Sequence, residues 1–316
     1  MPFIAGFGSY LPSRIVSNPE LADLLGCSPD WIREASGIEE RRYASAEESV
    51  EVMAANAGRN CLELARATVD QIGMIIVASG SAELRFPGPA CMVANRLGLR
   101  DVPAIDLPIA SAGALFGMSL GAQLAGRYGS ILVIAAEKMS AVISQPPVDK
   151  NTAILFGDGA GACLIHRDAG AYRIVDSVLH SDGSFAQDLQ LGHGQPLQMN
   201  GRSVIMQATR KLPAVIMEVL ERNGKPASAI DCVLMHQANQ NLMDRVARAL
   251  EIPNDRIYSN IRKYGNTSSA SMLIAATEWW CGRNGTLPGV ICFAVFGAGF
   301  HWGAMLAEAA ESHPDR

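Results

Sequence analysis

Short apolar runs alternate with helix-length stretches along this chain, and that alternation restricts it to an α/β fold. Buried strands are predicted at residues 74–78, 104–107, 131–135, 160–165, 174–179, 232–235 and 290–295. Between them, stretches such as 52–67, 112–124 and 210–221 repeat apolar residues every three to four positions, which is typical of helices. Because the strands are apolar throughout, we expect largely buried mixed sheets covered by helices.

A weak internal repeat, with a period near half of the chain, indicates a duplicated domain. Strands at 72–77 and 230–235 each lead into a loop and a helix, and both halves close on a Phe-Gly-x-Gly sequence. We therefore predict an N-terminal half, residues 1–167, and a C-terminal half, residues 168–316. The functional pocket is expected at their junction.

Composition excludes several classes of function. A net charge of −5 gives no reason to expect a nucleic-acid partner. No apolar segment approaches about 20 uninterrupted residues, and no signal peptide is visible, so we expect no membrane span. The seven cysteines show neither CxxC nor metal-ligand spacing, so we expect buried, reduced thiols, no metal and a cytoplasmic location.

Ser111 precedes Ala-Gly and an apolar helix, and two interpretations fit that position. Its oxygen could cap the free amide groups at the start of the helix. Alternatively, the same helix start could stabilise negative charge on a nucleophile and on an acyl oxyanion. A hydroxyl does not ionise near neutral pH, so a nucleophilic Ser111 needs a neighbouring base.

Three later motifs supply further polar groups. His236 opens a His-Gln-Ala-Asn run after an apolar strand, Asn266 lies within Tyr-Gly-Asn-Thr-Ser, and Ala298 is the centre of Gly-Ala-Gly. Taken singly, they could be a structural histidine, a turn residue and a tight hairpin. The glycine-rich run at 157–161 does not lie between a strand and a helix, so we expect no dinucleotide site.

Together these segments resemble the β-ketoacyl-acyl carrier protein synthase III family of the thiolase superfamily, and the likeness runs nearly end to end. It implies a five-layer αβαβα fold with no metal or redox cofactor. That family condenses acyl groups with a Cys, a His and an Asn, and this chain has Ser111 at the Cys position. The resemblance implies that His236 and Asn266 donate hydrogen bonds to the carbonyl of the malonyl thioester. It also implies that the Ala298 amide is part of the oxyanion hole.

The resemblance also implies which residues contact the substrate. The pantetheine arm of coenzyme A or of a carrier protein would lie in a tunnel formed by Trp31, Lys150, Gly201, Ile205, Ala238 and Asn239. Phe86 would close the acyl pocket of a partner copy, which implies a homodimer. Lys150 stands where an Arg is usual and Ile205 where a Phe is usual, which predicts a weaker grip on coenzyme A and a wider pocket.

Three functions fit this pattern. The first is decarboxylative condensation of an acyl-CoA or acyl-carrier-protein starter with a malonyl-type extender, in fatty-acid or polyketide synthesis. The second is acyl transfer to a hydroxyl or amine by a Ser111–His236–Asn266 site in which His236 is the base. The third is an inactive partner subunit of a Cys-bearing synthase. Ser111 is consistent both with a native residue and with an engineered replacement of Cys.

Overall fold

The computed structural model describes residues 1–192, 194–283 and 289–310. Within these ranges the strands are β1 (Phe3–Tyr10), β2 (Arg14–Ser17), β3 (Glu40–Tyr43), β4 (Ile72–Ala78), β5 (Ala104–Leu107), β6 (Ser130–Lys138), β7 (Asp158–His166), β8 (Tyr172–Ser181), β9 (Leu189–Gln190), β10 (Gln198–Met199), β11 (Cys232–Met235), β12 (Val290–Gly297) and β13 (His301–Ala309). The α-helices are α1 (Asn18–Leu25), α2 (Pro29–Ser36), α3 (Val50–Leu64), α4 (Pro89–Leu97), α5 (Gly113–Tyr128), α6 (Met139–Ile143), α7 (Lys150–Ala153), α8 (Gly201–Arg222), α9 (Gln240–Ala249), α10 (Ile261–Tyr264) and α11 (Ser271–Cys281).

Nine strands form one continuous mixed sheet, in the order β11-β12-β13-β8-β1-β7-β6-β4-β5. Strand β4 pairs in parallel with β5 and β6, and β11 pairs in parallel with β12. Strand β1 pairs along its length with β7, but only Phe3 and Ile4 pair with β8. That short ladder joins two half-sheets, one from each half of the chain.

The helices divide this sheet into five layers. Helices α5 and α11 pack between the two half-sheets, because each contacts strands of both. Helices α3 and α4 cover the outer face of the first half-sheet, and α8 and α9 cover that of the second. The central layer is apolar, and Leu115, Met118 and Leu273 are fully buried there.

Local sequence signals explain the short helices near the N-terminus. The Ser28 hydroxyl accepts a hydrogen bond from the Trp31 amide at the start of α2, and a proline occupies the first turn. Gly37 ends this helix with a φ of 79°, in the left-handed region that favours glycine. These signals fix the direction in which α2 approaches the start of α9.

The predicted elements are present, and the structure extends most of them. Strands β5 and β11 have the predicted bounds, whereas α8 begins at Gly201, well before the helix predicted at 210–221. The five-layer fold is confirmed. The division at residue 167 stays a prediction, and residues 311–316 of its second half lie outside the described ranges. No helix in those ranges is long and apolar enough to cross a membrane.

The cysteines differ from the expectation in part. Cys61, Cys163, Cys232 and Cys292 are buried in the core as predicted. The expectation of burial is wrong for two others, because Cys91 and Cys281 are exposed, and Cys27 is intermediate.

Candidate active site

Ser111 occupies a tight backbone turn between β5 and α5. Its φ of 61° lies in the left-handed region, which is uncommon for a residue with a side chain. The Ala112 amide donates to the Ala110 carbonyl at 2.7 Å across the turn. The N-cap residue of α5 is Ala112, so the interpretation of Ser111 as the helix cap is wrong. Strained backbone of this kind is concentrated at functional sites, which favours the nucleophile interpretation.

The end of strand β12 packs directly against this turn. A Cβ atom on Gly297 would lie 2.3 Å from the Ala110 carbonyl oxygen and 2.9 Å from the Ser111 Cβ. Only glycine allows the strand to approach so closely. The second Phe-Gly sequence therefore places the C-terminal half against the Ser111 turn.

His236 follows β11 directly, and its amide donates to the Ala294 carbonyl of β12 at 2.9 Å. Its Nδ1 lies 2.6 Å from Ser271 Oγ, which also accepts from the Gln237 amide at 3.0 Å. Burial lowers the pKa of His236 to about 4, although a hydrogen bond with the Ser268 backbone opposes the shift. The imidazole is therefore neutral at neutral pH.

Asn266 is held by its backbone and by its side-chain oxygen. Its amide donates to the Leu155 carbonyl at 2.9 Å, and its carbonyl accepts from the Gly157 amide at 3.1 Å. The Asn266 Oδ1 atom accepts from the Ser268 amide at 2.9 Å. In the described part of the chain no side chain or backbone group binds Asn266 Nδ2, so its amino group is available as a donor.

The three predicted side chains line one cavity of about 100 Å³, which we call the first cavity. The predicted catalytic and tunnel residues in its wall are Ser111, His236, Asn266, Gly201, Ile205, Ala238 and Asn239. The other walls, which the sequence did not identify, are Leu155, Phe156, Leu189, Met199, Val204, Ala208, Leu212, Leu242, Phe296 and Gly297. A mostly apolar cavity with a few convergent polar groups is the usual form of a small-molecule site.

Ala298 lies in the wall of a second cavity of about 70 Å³, together with Ser111 and Ser268. This second cavity shares Ser111, Phe156 and Leu189 with the first. Ser111 therefore lines both cavities. The first cavity is also lined by His236 and Asn266, and the second is also lined by Ala298.

The three side chains do not form the hydrogen-bonded triad that the second predicted function requires. Within the described ranges no hydrogen bond joins Ser111, His236 and Asn266 to one another. His236 is held by the Ser271 hydroxyl and by a hydrogen bond with the Ser268 backbone, and the sequence interpretation missed both partners. The Asn266 carboxamide lines the first cavity without a hydrogen bond to His236 or Ser111 in the described ranges.

A second missed feature is a polar network behind Ser111. The Ser111 amide donates to Ser268 Oγ at 3.0 Å, and the two hydroxyl oxygens lie 3.4 Å apart. Ser268 Oγ in turn donates to Glu137 Oε1 at 3.0 Å. Glu137 is fully buried. A carboxylate near the end of an otherwise largely apolar strand, β6, was the sequence signal that could have identified it.

Two predicted tunnel residues, Trp31 and Lys150, do not line either cavity. Trp31 packs against the small apolar cluster around Ile32, and Lys150 Nζ lies 5.7 Å from the centroid of its ring. Asn239 of the first cavity donates to the Ala35 carbonyl at 2.8 Å, so helix α2, which carries Trp31, borders the cavity.

Phe86 also lies away from both cavities, and 86% of it is exposed. Leu84 on the same loop is 52% exposed, and Ile105 on the edge strand β5 is 41% exposed. None of the described residues forms a group of His, Cys, Asp and Glu that could hold a metal ion.

Two protein-family models match this chain. Residues 105–183 match 3-oxoacyl-[acyl-carrier-protein (ACP)] synthase III, and residues 220–309 match the C-terminal model of the same synthase. A beta-ketoacyl-[acyl-carrier-protein] synthase III from Caldanaerobacter subterraneus subsp. tengcongensis is 35% identical over 318 residues, which covers 95% of each chain. The chain belongs to this family.

Solved structures of synthase III enzymes match the whole fold. The 3-oxoacyl-[acyl-carrier-protein] synthase III from Aquifex aeolicus VF5 has a TM-score of 0.93 at 33% identity, covering 98% of this chain and 100% of that one. The priming β-ketosynthase of the R1128 polyketide pathway has a TM-score of 0.88 at 29% identity, covering 98% of this chain and 96% of that one. The predicted synthase III family is confirmed.

Proposed function

We propose that this synthase III homologue condenses an acyl starter, carried by coenzyme A or a carrier protein, with a malonyl-type extender in fatty-acid or polyketide synthesis. The observation that carries the proposal is the convergence of Ser111, His236 and Asn266 on one cavity. The three residues come from three separate loops, and no element of secondary structure requires them to meet. Their meeting supports a chemical role.

The first step is transfer of the acyl group to Ser111. The Ser111 Oγ atom attacks the thioester carbonyl, the new carbon–oxygen bond forms, and the thiol leaves. Amide groups at the start of α5 and at Ala298 stabilise the oxyanion. The position of Ser111 between two cavities supports this step, because the acyl chain and the departing pantetheine arm can occupy different spaces.

The second step is loss of CO₂ from the malonyl unit and attack of the resulting enolate on the acyl carbon. The new carbon–carbon bond replaces the ester bond to Ser111, and the released Ser111 oxygen takes up a proton from solvent. His236 and Asn266 donate hydrogen bonds to the malonyl thioester carbonyl and so stabilise the enolate. Ser271 Oγ accepts from the Gln237 amide and can donate to His236 Nδ1, which leaves the ring proton on Nε2. A neutral imidazole with a proton on Nε2 suits this role, as does the available Asn266 amino group.

Two copies of the chain form the active enzyme in this proposal. Strand β5 is the last strand of the nine-stranded sheet, and Ile105 on it is exposed. A second copy paired along this edge would cover Ile105 and would give the exposed Phe86 side chain an apolar environment. Light scattering of the purified protein tests this part, and a monomer at micromolar concentration would contradict it.

Acyl transfer to a hydroxyl or amine is the second candidate, and Ser111 itself favours it. An acyl-serine is an oxygen ester, the intermediate typical of serine acyltransferases. In this case the acyl group would be transferred from Ser111 to a hydroxyl or amine acceptor, without loss of CO₂.

One experiment distinguishes these functions. The purified protein is incubated with short acyl-CoA thioesters and malonyl carrier protein, and mass spectrometry records both the protein and the products. We expect an acyl adduct on Ser111 and a 3-oxoacyl product, both lost in Ser111→Ala and retained in the control Ser184→Ala, which changes an exposed serine. Turnover by the purified chain also excludes an inactive subunit. An adduct without condensation would support transfer, and the absence of both would refute the proposal.

A further inference from the structure

Ser268 links Ser111 to a buried carboxylate. Ser268 Oγ lies 3.0 Å from the Ser111 amide nitrogen, 3.4 Å from Ser111 Oγ and 3.0 Å from Glu137 Oε1. Both serines have a positive φ, 61° for Ser111 and 46° for Ser268, so two strained residues face each other. The two hydroxyl groups and the carboxylate form a continuous chain that begins at the proposed nucleophile.

Glu137 determines the direction of the hydrogen bonds in this chain. Its Oε1 accepts from the Ser269 hydroxyl at 2.7 Å, and its Oε2 accepts from the Ser81 hydroxyl at 2.5 Å and the Gly80 amide at 3.0 Å. The hydroxyl groups of Ser81, Ser268 and Ser269 donate to the Glu137 oxygens, which act as acceptors. No Lys, Arg or His of the described ranges forms an ion pair with Glu137.

The Ser268 proton is therefore committed to Glu137. The Ser268 oxygen keeps its lone pairs for Ser111, from which it can accept both the amide proton and the hydroxyl proton. His236 provides no comparable contact, because its Nδ1 is bound to Ser271 and no hydrogen bond joins it to Ser111 Oγ in the described ranges.

We propose that Ser268 and Glu137 form the proton-accepting chain for Ser111 during acyl transfer, and that His236 and Asn266 act on the malonyl thioester. The inference rests on the proposed role of Ser111 as acyl acceptor. As Ser111 Oγ bonds to the acyl carbon, its proton passes to Ser268 Oγ, and the Ser268 proton passes to Glu137. The thioester carbon–sulfur bond breaks with its electron pair on sulfur. A carboxylic acid is a much stronger acid than a thiol, so the Ser268 hydroxyl protonates the departing sulfur and regains its own proton from Glu137.

The test exchanges the nucleophile. A thiol at a helix start ionises by itself near neutral pH, whereas a hydroxyl requires an acceptor for its proton. Ser268→Ala is therefore made in the unsubstituted protein and in the Ser111→Cys variant, and single-turnover acylation by an acyl-CoA is followed by intact-protein mass spectrometry. We expect Ser268→Ala to slow acylation at least about 100-fold in the serine protein and less than about five-fold in the Ser111→Cys background.

The matched backgrounds separate a proton relay from a structural role. Loss of the contact between Ser268 and the residue-111 amide occurs in both backgrounds, so a structural effect would slow both equally and would overturn the inference. A rate within about five-fold of the parent in the serine protein would also overturn it. Glu137→Gln, checked by thermal melting, should show the same dependence on the nucleophile. If the unsubstituted protein forms no acyl adduct, the proposed function fails together with the inference. This outcome is distinguished from failure of the inference alone, because it is measured on the unsubstituted protein without any variant.

Discussion

Acidification should destabilise this protein through His236, and the size of the effect follows from the burial of the imidazole. His236 is 5% exposed, and burial lowers its pKa to about 4 in the folded protein, compared with the ordinary histidine value of 6.5. Between these values the unfolded chain binds the proton and the folded chain does not. The free energy of unfolding therefore falls as the pH falls from about 6.5 towards about 4, and His236 causes no loss above that window.

The magnitude comes from the difference between the two pKa values. Each pH unit inside the window costs about 1.4 kcal/mol, so lowering the pH from about 7.5 to about 5 should remove about 2 kcal/mol of stability through His236 alone. Urea unfolding of the protein and of His236→Gln at both pH values measures this loss. Carboxylates contribute equally to both proteins, so the difference between their losses isolates the imidazole.

We expect His236→Gln to lose about 2 kcal/mol less than the parent over this pH range. Equal losses would refute the reasoning, because they would mean that the folded imidazole accepts a proton as easily as a solvated one. The same result would remove the support that the neutral ring gives to the proposed enolate step.

Three further predictions follow from the geometry. Gly297→Ala should slow acylation at least about ten-fold and lower the free energy of unfolding by about 1–3 kcal/mol, because a Cβ would press on the backbone turn at Ser111. Unchanged single-turnover kinetics would contradict this prediction. Iodoacetamide should label the exposed Cys91 and Cys281 in peptide mapping while condensation activity remains, since the proposed nucleophile, Ser111, is a hydroxyl. Inactivation that parallels labelling would be inconsistent with this prediction. Ile205→Trp should raise the KM for acyl-CoA about ten-fold by narrowing the first cavity. The control Leu24→Trp, at an exposed site, should leave the KM unchanged. Equal KM values for the two variants would refute the assignment of Ile205 to the substrate site.

Element types were largely predictable because their signals are local. Buried strands such as β5 and β11 are continuous apolar runs, and their bounds agree with the prediction. The motifs around Ser111, His236 and Asn266 were also found, because together they resemble the synthase III family, although each taken singly fits a structural role. The start of α8 was not predicted, since its first turns line the first cavity and have less regular apolar spacing.

The sequence by itself determined the α/β class, the synthase III family and seven of the residues that line the first cavity. The tertiary structure alone decided how those side chains are held. Ser268 binds a carboxylate 131 residues away, and His236 binds Ser271 rather than Asn266. Such partners depend on how layers pack and on which buried hydroxyls must satisfy a buried charge. A helical or strand repeat records only which face of an element is buried, so it holds no information about a hydrogen bond between elements.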